Sequence, residues 1–170
     1  MTLTVEWRNG NSVLPEHCLM LIAFPGVGNV GKAAIDAVNS VNEATQVARL
    51  YDTSLPPLAC LDEDGLLAPP HYTLSSIEST TGKTILTLTG STQPVDPNSQ
   101  GMLANEIMKF FMEQGVSELV VMAGLGSEPS RKETFIVASN SSHRIELESR
   151  GVDVRRDEPS SGAIGLSALL

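Results

Sequence analysis

The sequence predicts one α/β domain, a three-layer α/β/α sandwich around a mostly parallel, mixed sheet of nucleoside-phosphorylase-like type. Three observations lead there. Cys18 to Phe24 (CLMLIAF) and Glu118 to Ala123 (ELVVMA) are unbroken apolar runs, the mark of strands buried on both faces. Stretches of helical spacing alternate with them, and that alternation covers a parallel sheet from both sides. The chain has 170 residues, of which 41% are hydrophobic and 18% charged, an ordinary globular balance with enough length for one core.

The elements follow in order. Leu3 to Arg8 and Ser12 to Leu14 flank Asn9-Gly10, a tight-turn dipeptide, and predict a small hairpin. After the apolar run at 18–24 comes a glycine-rich loop, Gly26 to Gly31. Lys32 to Val41 then places Ala34, Ile35 and Val38 on one helical face. Thr45 to Tyr51 reads as a strand. Short apolar pieces, Leu58 to Leu61 and Leu66 to Leu67, surround Asp64-Gly65. Tyr72 to Ile77 and Thr84 to Leu88, joined through Thr81-Gly82, predict an antiparallel hairpin. A polar loop with Pro94 and Pro97 precedes the clearest helix, Gln100 to Gln114. Its face carries Met102, Leu103, Ile107, Phe110 and Phe111, and Gly115 stops it. Glu118 to Ala123, Thr134 to Ala138 and Val152 to Arg155 complete the strands, with a helix over Asn140 to Arg150 between the last two.

Composition removes several function classes. The net charge is −9, whereas nucleic-acid binding needs clustered Lys and Arg to displace counterions. Arg155 and Arg156 are hemmed in by Asp153, Asp157 and Glu158. No apolar run approaches the roughly 20 residues of a membrane helix, and Met1 to Arg8 lacks the pattern of a signal peptide, so a cytoplasmic location is expected. Cys18 and Cys60 are far apart, and His17, His71 and His143 are scattered. Neither set has metal-ligand spacing, and no metal or cofactor is expected. Ser54, Ser91 and Ser127 lie in loops without GxSxG context, so no catalytic residue is assigned.

The chemically suggestive stretch is Phe24-Pro25-Gly26-Val27-Gly28-Asn29-Val30-Gly31-Lys32-Ala33. Gly26, Gly28 and Gly31 fit GxGxxG between a strand and a helix, and Asp52 lies 21 residues beyond Gly31, where a ribose-binding acid belongs. Gly26 to Lys32 also fits GxxxxGK, but Ala33 stands where that motif needs a magnesium-binding hydroxyl. Three readings stay open. The loop is a tight strand-to-helix turn whose glycines serve close packing. Or it binds a dinucleotide. Or it holds another anion or small ligand at the helix N-terminus. In the ligand readings Gly26, Gly28, Asn29, Gly31, Lys32 and Asp52 face a pocket at the carboxyl ends of the strands. Gly90, Gln93 and Gly126 in the neighbouring loops border it.

The same string, FPGVGNVGKAA, resembles the opening segment of the proteasome assembly chaperone family of the second-subunit type. Further resemblances follow in the same order: YDTSLPPLA at 51–59, DGLLAPPHYTL at 64–74, ILTLTGSTQP at 85–94, GVSELVVMAGLG at 115–126 and SSGAIGLSALL at 160–170. Together they span roughly residues 18 to 170. The resemblance implies a phosphorylase-like three-layer fold and self-association into small oligomers. It also implies a non-catalytic role, without ATP, in binding proteasome subunits during assembly. Family members continue past the segment at which this chain stops, so a C-terminal helical extension is expected to be missing from 1–170. The hydrophobic-Tyr-X tail by which such chaperones dock is not found at Ala168-Leu169-Leu170.

Overall fold

A computed structural model describes residues 3–8, 10, 12–62, 65–126, 133–157, 159 and 162–170. The chain divides into two compact units, Met1–Gly124 with Ile164–Leu170, and Leu125–Ala163.

The first unit is built on strand β2 (Leu19–Ala23), whose Met20, Ile22 and Ala23 are fully buried. It runs parallel to β7 (Thr84–Gly90) on one side and to β8 (Leu119–Val121) on the other. Beyond β7 the sheet turns antiparallel, through β6 (Tyr72–Glu78) and β3 (Thr45–Tyr51) to β1 (Thr4–Trp7) at the edge. The order is β1-β3-β6-β7-β2-β8. The mixed α/β class is as expected, but the parallel part is confined to β7-β2-β8. The N-terminal hairpin does not form: β1 pairs with β3 instead, Val5 opposite Leu50 and Trp7 opposite Ala48. Pairing with β3 lets Val5 and Trp7 pack on the core, a gain in apolar burial that a two-stranded hairpin alone lacks. Asn9 and Asn11 of the expected turn lie outside the described residues.

Alternation along the strands separates two faces. Met20, Ile22, Leu86, Leu88, Leu74 and Leu50 form the larger core with helix α2 (Pro97–Glu113). That helix buries Leu103, Ala104, Ile107 and Phe111, a stripe at spacings of three and four. At ~1.5–3 kcal/mol for each large side chain removed from water, this stripe is the main anchor of α2. The helix begins three residues before the sequence pattern predicts. Asp96 Oδ2 accepts from Ser99 N (2.8 Å) as N-cap, and Pro97 occupies the first turn, where its missing N–H costs nothing. The opposite face carries α1 (Val30–Val41), with Ile35 fully buried. Thr87 Oγ1 of β7 donates to Asn39 Oδ1 of α1 (2.8 Å). Helices on both faces give the three layers.

A separate two-stranded sheet, β4 (Cys60–Leu61) with β5 (Leu67–Ala68), pairs Leu61 with Leu67 and Cys60 with Ala68. Glu63 and Asp64, between these strands, lie outside the described residues.

The second unit holds helix α3 (Ser141–Ser149), capped by Asn140 Oδ1 accepting from His143 N (2.8 Å). The strands expected at 134–138 and 152–155 reduce to one parallel bridge, Ile136 with Val154.

Close approach of backbone explains Gly31 and Gly124. A Cβ on Gly31 would lie 2.2 Å from the Met122 carbonyl oxygen, and one on Gly124 would lie 2.1 Å from the Val27 carbonyl oxygen. Both obstacles are backbone and cannot swing aside. Gly31→Ala is therefore expected to destabilise the fold by about 3 kcal/mol, at the upper end of overpacking costs. Gly101→Ala, inside α2 with nothing within 4 Å of its Cβ, is expected to stabilise by about 0.5–1 kcal/mol. Urea unfolding of the two variants checks both signs.

Candidate functional site

The glycine loop begins where β2 leaves the sheet. Phe24 buries its ring against Tyr72, with centroids 4.4 Å apart. A 3-10 turn over Val27–Asn29 follows. Gly28 and Asn29 both hold positive φ, +61° and +55°, a conformation that Gly and Asn tolerate best. Helix α1 then starts at Val30, and Gly31 lets its first turn lie directly on the chain leaving β8. Gly124 receives the Val27 carbonyl from the other direction. The glycines at 28, 31 and 124 are thus used by the loop's own path and packing.

The other candidate residues have definite places. Gly26 precedes the 3-10 turn, and its carbonyl accepts from Asn29 N (3.0 Å). Lys32 pairs with Asp36 one turn along α1. Gln93 ties two segments together: its Nε2 donates to the Pro25 carbonyl (2.7 Å), and its Oε1 accepts from Leu166 N (2.9 Å). Gly90 ends β7, where a Cβ would sit 2.4 Å from the Tyr72 ring. Asp52 is buried and closes a local turn, Oδ1 accepting from Ser54 N (2.8 Å) and Ser54 Oγ (2.6 Å). Gly126 belongs to the second unit; a Cβ there would meet nothing within 4 Å.

Of these nine, Lys32 and Gly90 share a cleft of about 320 Å³. It lies beside the carboxyl end of β7, with Asp36, Asp62, His71 and Thr89 also on its walls. His71 Nδ1–H donates to the Pro69 carbonyl (2.8 Å). Thr89 Oγ1 is buried without a partner among the described residues. Charges in the walls are balanced locally, Lys32 by Asp36 and Asp62 by Arg49.

Arg49 and Asp62 were not singled out by sequence reasoning. Arg49 Nη2 donates to Asp62 Oδ2 (3.1 Å), and their side chains are only 7% and 5% exposed. Asp62 also shapes the β4–β5 connection, with Oδ1 accepting from Leu66 N (2.9 Å). Its backbone N–H donates to the Leu66 carbonyl (2.9 Å). The available signal was an arginine inside the otherwise apolar strand VARLY, which requires an acid if that strand is buried.

On the α2 face, Tyr72 is fully buried and its hydroxyl has no partner among the described residues. Burial, and then the nearby Asp52 carboxylate, push its pKa well above the ordinary tyrosine range. Tyr51 is also raised, first by burial and then by its hydrogen bond to Glu6.

Two predictions follow from these groups. Arg49→Met removes the guanidinium from the buried Asp62 carboxylate, with an expected loss of about 3–5 kcal/mol. Replacing Asp62 by Leu at the same time is expected to recover much of it, read from the two denaturation midpoints. For Tyr72, the folded pKa lies above the unfolded value near 10. Its contribution to stability is therefore complete below pH 10 and falls as pH rises further. Base titration followed by tyrosinate absorbance should show Tyr72 ionising only with unfolding. Tyr72→Phe should remove that component without lowering stability at pH 7, because the hydroxyl has no bond to lose.

Comparison with known proteins agrees with this architecture. PbaB of Pyrococcus furiosus, whose crystal structure is described as that of an archaeal proteasome activator, superposes with a TM-score of 0.79. It is 22% identical, with 99% of this chain and 73% of that chain covered. PbaA of the same organism, described as an archaeal homolog of proteasome-assembly chaperone, has a TM-score of 0.69 at 22% identity, covering 99% and 69%. An uncharacterised protein of Methanocaldococcus jannaschii is 23% identical over 155 residues, which is 91% of this chain and 59% of that protein. The chain therefore spans less than two thirds of that relative's length. The model of the PAC2 family matches residues 20–170, from the buried strand β2 through the glycine loop to the last residue. The chain belongs to the PAC2 family.

Proposed function

We propose that this chain is a non-catalytic protein-binding module of the cytoplasm. It self-associates and, without ATP, binds proteasome subunits while they assemble. Family membership supports the proteasome connection, as does the fold shared with PbaB and PbaA, whose names refer to proteasome activation and assembly. The observation that carries the reading is the use of the glycine loop. Gly31 and Gly124 are pressed against carbonyl oxygens of the chain itself. Lys32 is paired with Asp36, and Asp52 with its own turn. A loop packed this closely on its own backbone, with its lysine already paired, supports a rigid scaffold rather than a phosphate cradle, which needs an available lysine.

A second reading rests on the cleft beside β7. The buried, unpartnered Thr89 hydroxyl near Lys32 favours a small anionic ligand there. Inorganic phosphate and nucleosides, tested by thermal shift, would raise the melting temperature in proportion to occupancy.

The deciding experiment is light scattering on the chain alone and with proteasome α-subunits of its own source. A discrete oligomer that forms a stable complex with those subunits is expected. An oligomer that ignores them overturns the proteasome role and favours the ligand reading.

A further inference from the structure

Leu86 and Leu88 of β7 belong to the α2 core, so Thr87 and Thr89 point to the α1 side of the sheet. The fold treats the two hydroxyls differently. Thr87 Oγ1 donates to Asn39 Oδ1 of α1 (2.8 Å). Thr89 is 8% exposed, and its Oγ1 has no partner among the described residues. The α1 side chains that share its cleft, Lys32 and Asp36, bond to each other instead. Thr73 of β6 stands directly opposite Thr89, which places the two Cβ atoms about 5 Å apart on one face. Both threonines line the 320 Å³ cleft. Helix α1 supplies one wall, and the start of the β4–β5 connection, held by the Arg49–Asp62 pair, supplies the other. A buried hydroxyl without a partner is costly, and one placed in a cleft marks where a ligand atom can complete it.

We infer that this cleft binds a small neutral molecule rich in hydroxyl groups, of the monosaccharide or cyclitol class. The inference rests on the reading of the cleft as a ligand site and differs from it in what meets Thr89, a hydroxyl group rather than a free anion. Three features favour that class. The first is charge. Lys32 is paired with Asp36 and Asp62 with Arg49, so the walls carry both signs. A free anion drawn to Lys32 meets Asp36 as well, in a chain whose net charge is already −9. A hydroxyl group suits either sign, since it donates to a carboxylate and accepts from an ammonium or a threonine. The second is size. A volume of 320 Å³ lies at the small end of ligand sites, which suits a single ring and not a dinucleotide. The third is the mixture of surfaces. Pro69 and Pro70 add apolar area beside the threonines and acids, as a sugar ring needs for its C–H face and its hydroxyl edge.

Cys60 lines the same cleft and is an exposed free thiol, whereas Cys18 is exposed and lies outside it. Alkylation by iodoacetamide therefore reports occupancy at Cys60, with Cys18 as the internal reference. The probes are D-ribose, D-glucose, D-galactose, myo-inositol and inorganic phosphate, each at about 50 mM on the whole chain. At least one of the four neutral compounds is expected to slow alkylation of Cys60 about fivefold and leave Cys18 unchanged. The same compound should raise the melting temperature, and Thr89→Val should remove both effects. Without ligand this variant should melt no lower than wild type, because the hydroxyl has no protein bond to lose. General stabilisation by a dissolved sugar acts on both proteins alike and cancels in the comparison. If Thr89→Val disturbs folding, Asp36→Asn, at a half-exposed side chain, should weaken the protection of Cys60 by itself. Equal protection in wild type and Thr89→Val overturns the inference. Protection by phosphate alone also overturns it, while the ligand site stands. Protection by none of the five compounds removes both the inference and the ligand reading, and leaves the protein-binding proposal untouched.

Discussion

The first unit depends on how closely helix α1 lies on the chain leaving β8. At Gly31 the helix comes so near the Met122 carbonyl that no side chain fits between them. Gly124 repeats the constraint with the Val27 carbonyl. These two approaches fix the loop between β2 and α1, and with it the end of β2. Gln93 adds a third tie by bridging Pro25 to Leu166. The loop that looks most like a ligand cradle in sequence is thereby the joint that holds three chain segments together.

The buried pair of Arg49 and Asp62 works differently. A pair this deep repays little of its desolvation cost, so it is a weak source of net stability. Its effect is on arrangement. Arg49 points from the middle of β3 to Asp62 at the start of the β4–β5 connection. The pair thus converts a short apolar excursion into a fixed arm. The leucines that the arm carries, Leu61, Leu66 and Leu67, stay exposed to water.

Much of the fold is legible in the sequence because burial writes itself into periodicity. The run at 18–24 and the α2 stripe Leu103, Ile107 and Phe111 leave little choice of element. The Thr81-Gly82 turn correctly joins β6 to β7. Direction and pairing are harder to read. Nothing local in Thr4 to Trp7 says that its partner is β3 rather than the residues just after Asn9-Gly10, since long-range burial decides it. Pro97 reads as a breaker in sequence, yet a proline in the first turn is compatible with a helix. For the site, the glycines were visible but their purpose was not. GxGxxG records where backbone must come close, and the motif does not say whether a phosphate or a carbonyl is the close neighbour. Arg49 and Asp62 escaped notice because they lie 13 residues apart with no local pattern linking them, and meet only in the folded chain.

The position of β2 also bears on how the chain reaches its native state. β6 and β7 are neighbours in sequence and can zip together as soon as both exist, since closing a short loop costs little entropy. β2 comes earlier in the chain but is seated between β7 and β8, so Met20 must wait for both Leu86 and Leu119. During synthesis the most apolar strand of the protein therefore leaves the ribosome long before its second neighbour does. Parallel pairing over such separations is slow, and the waiting strand is open to wrong partners. Among the sheet's strands, β2 is thus the one that waits longest for both of its neighbours.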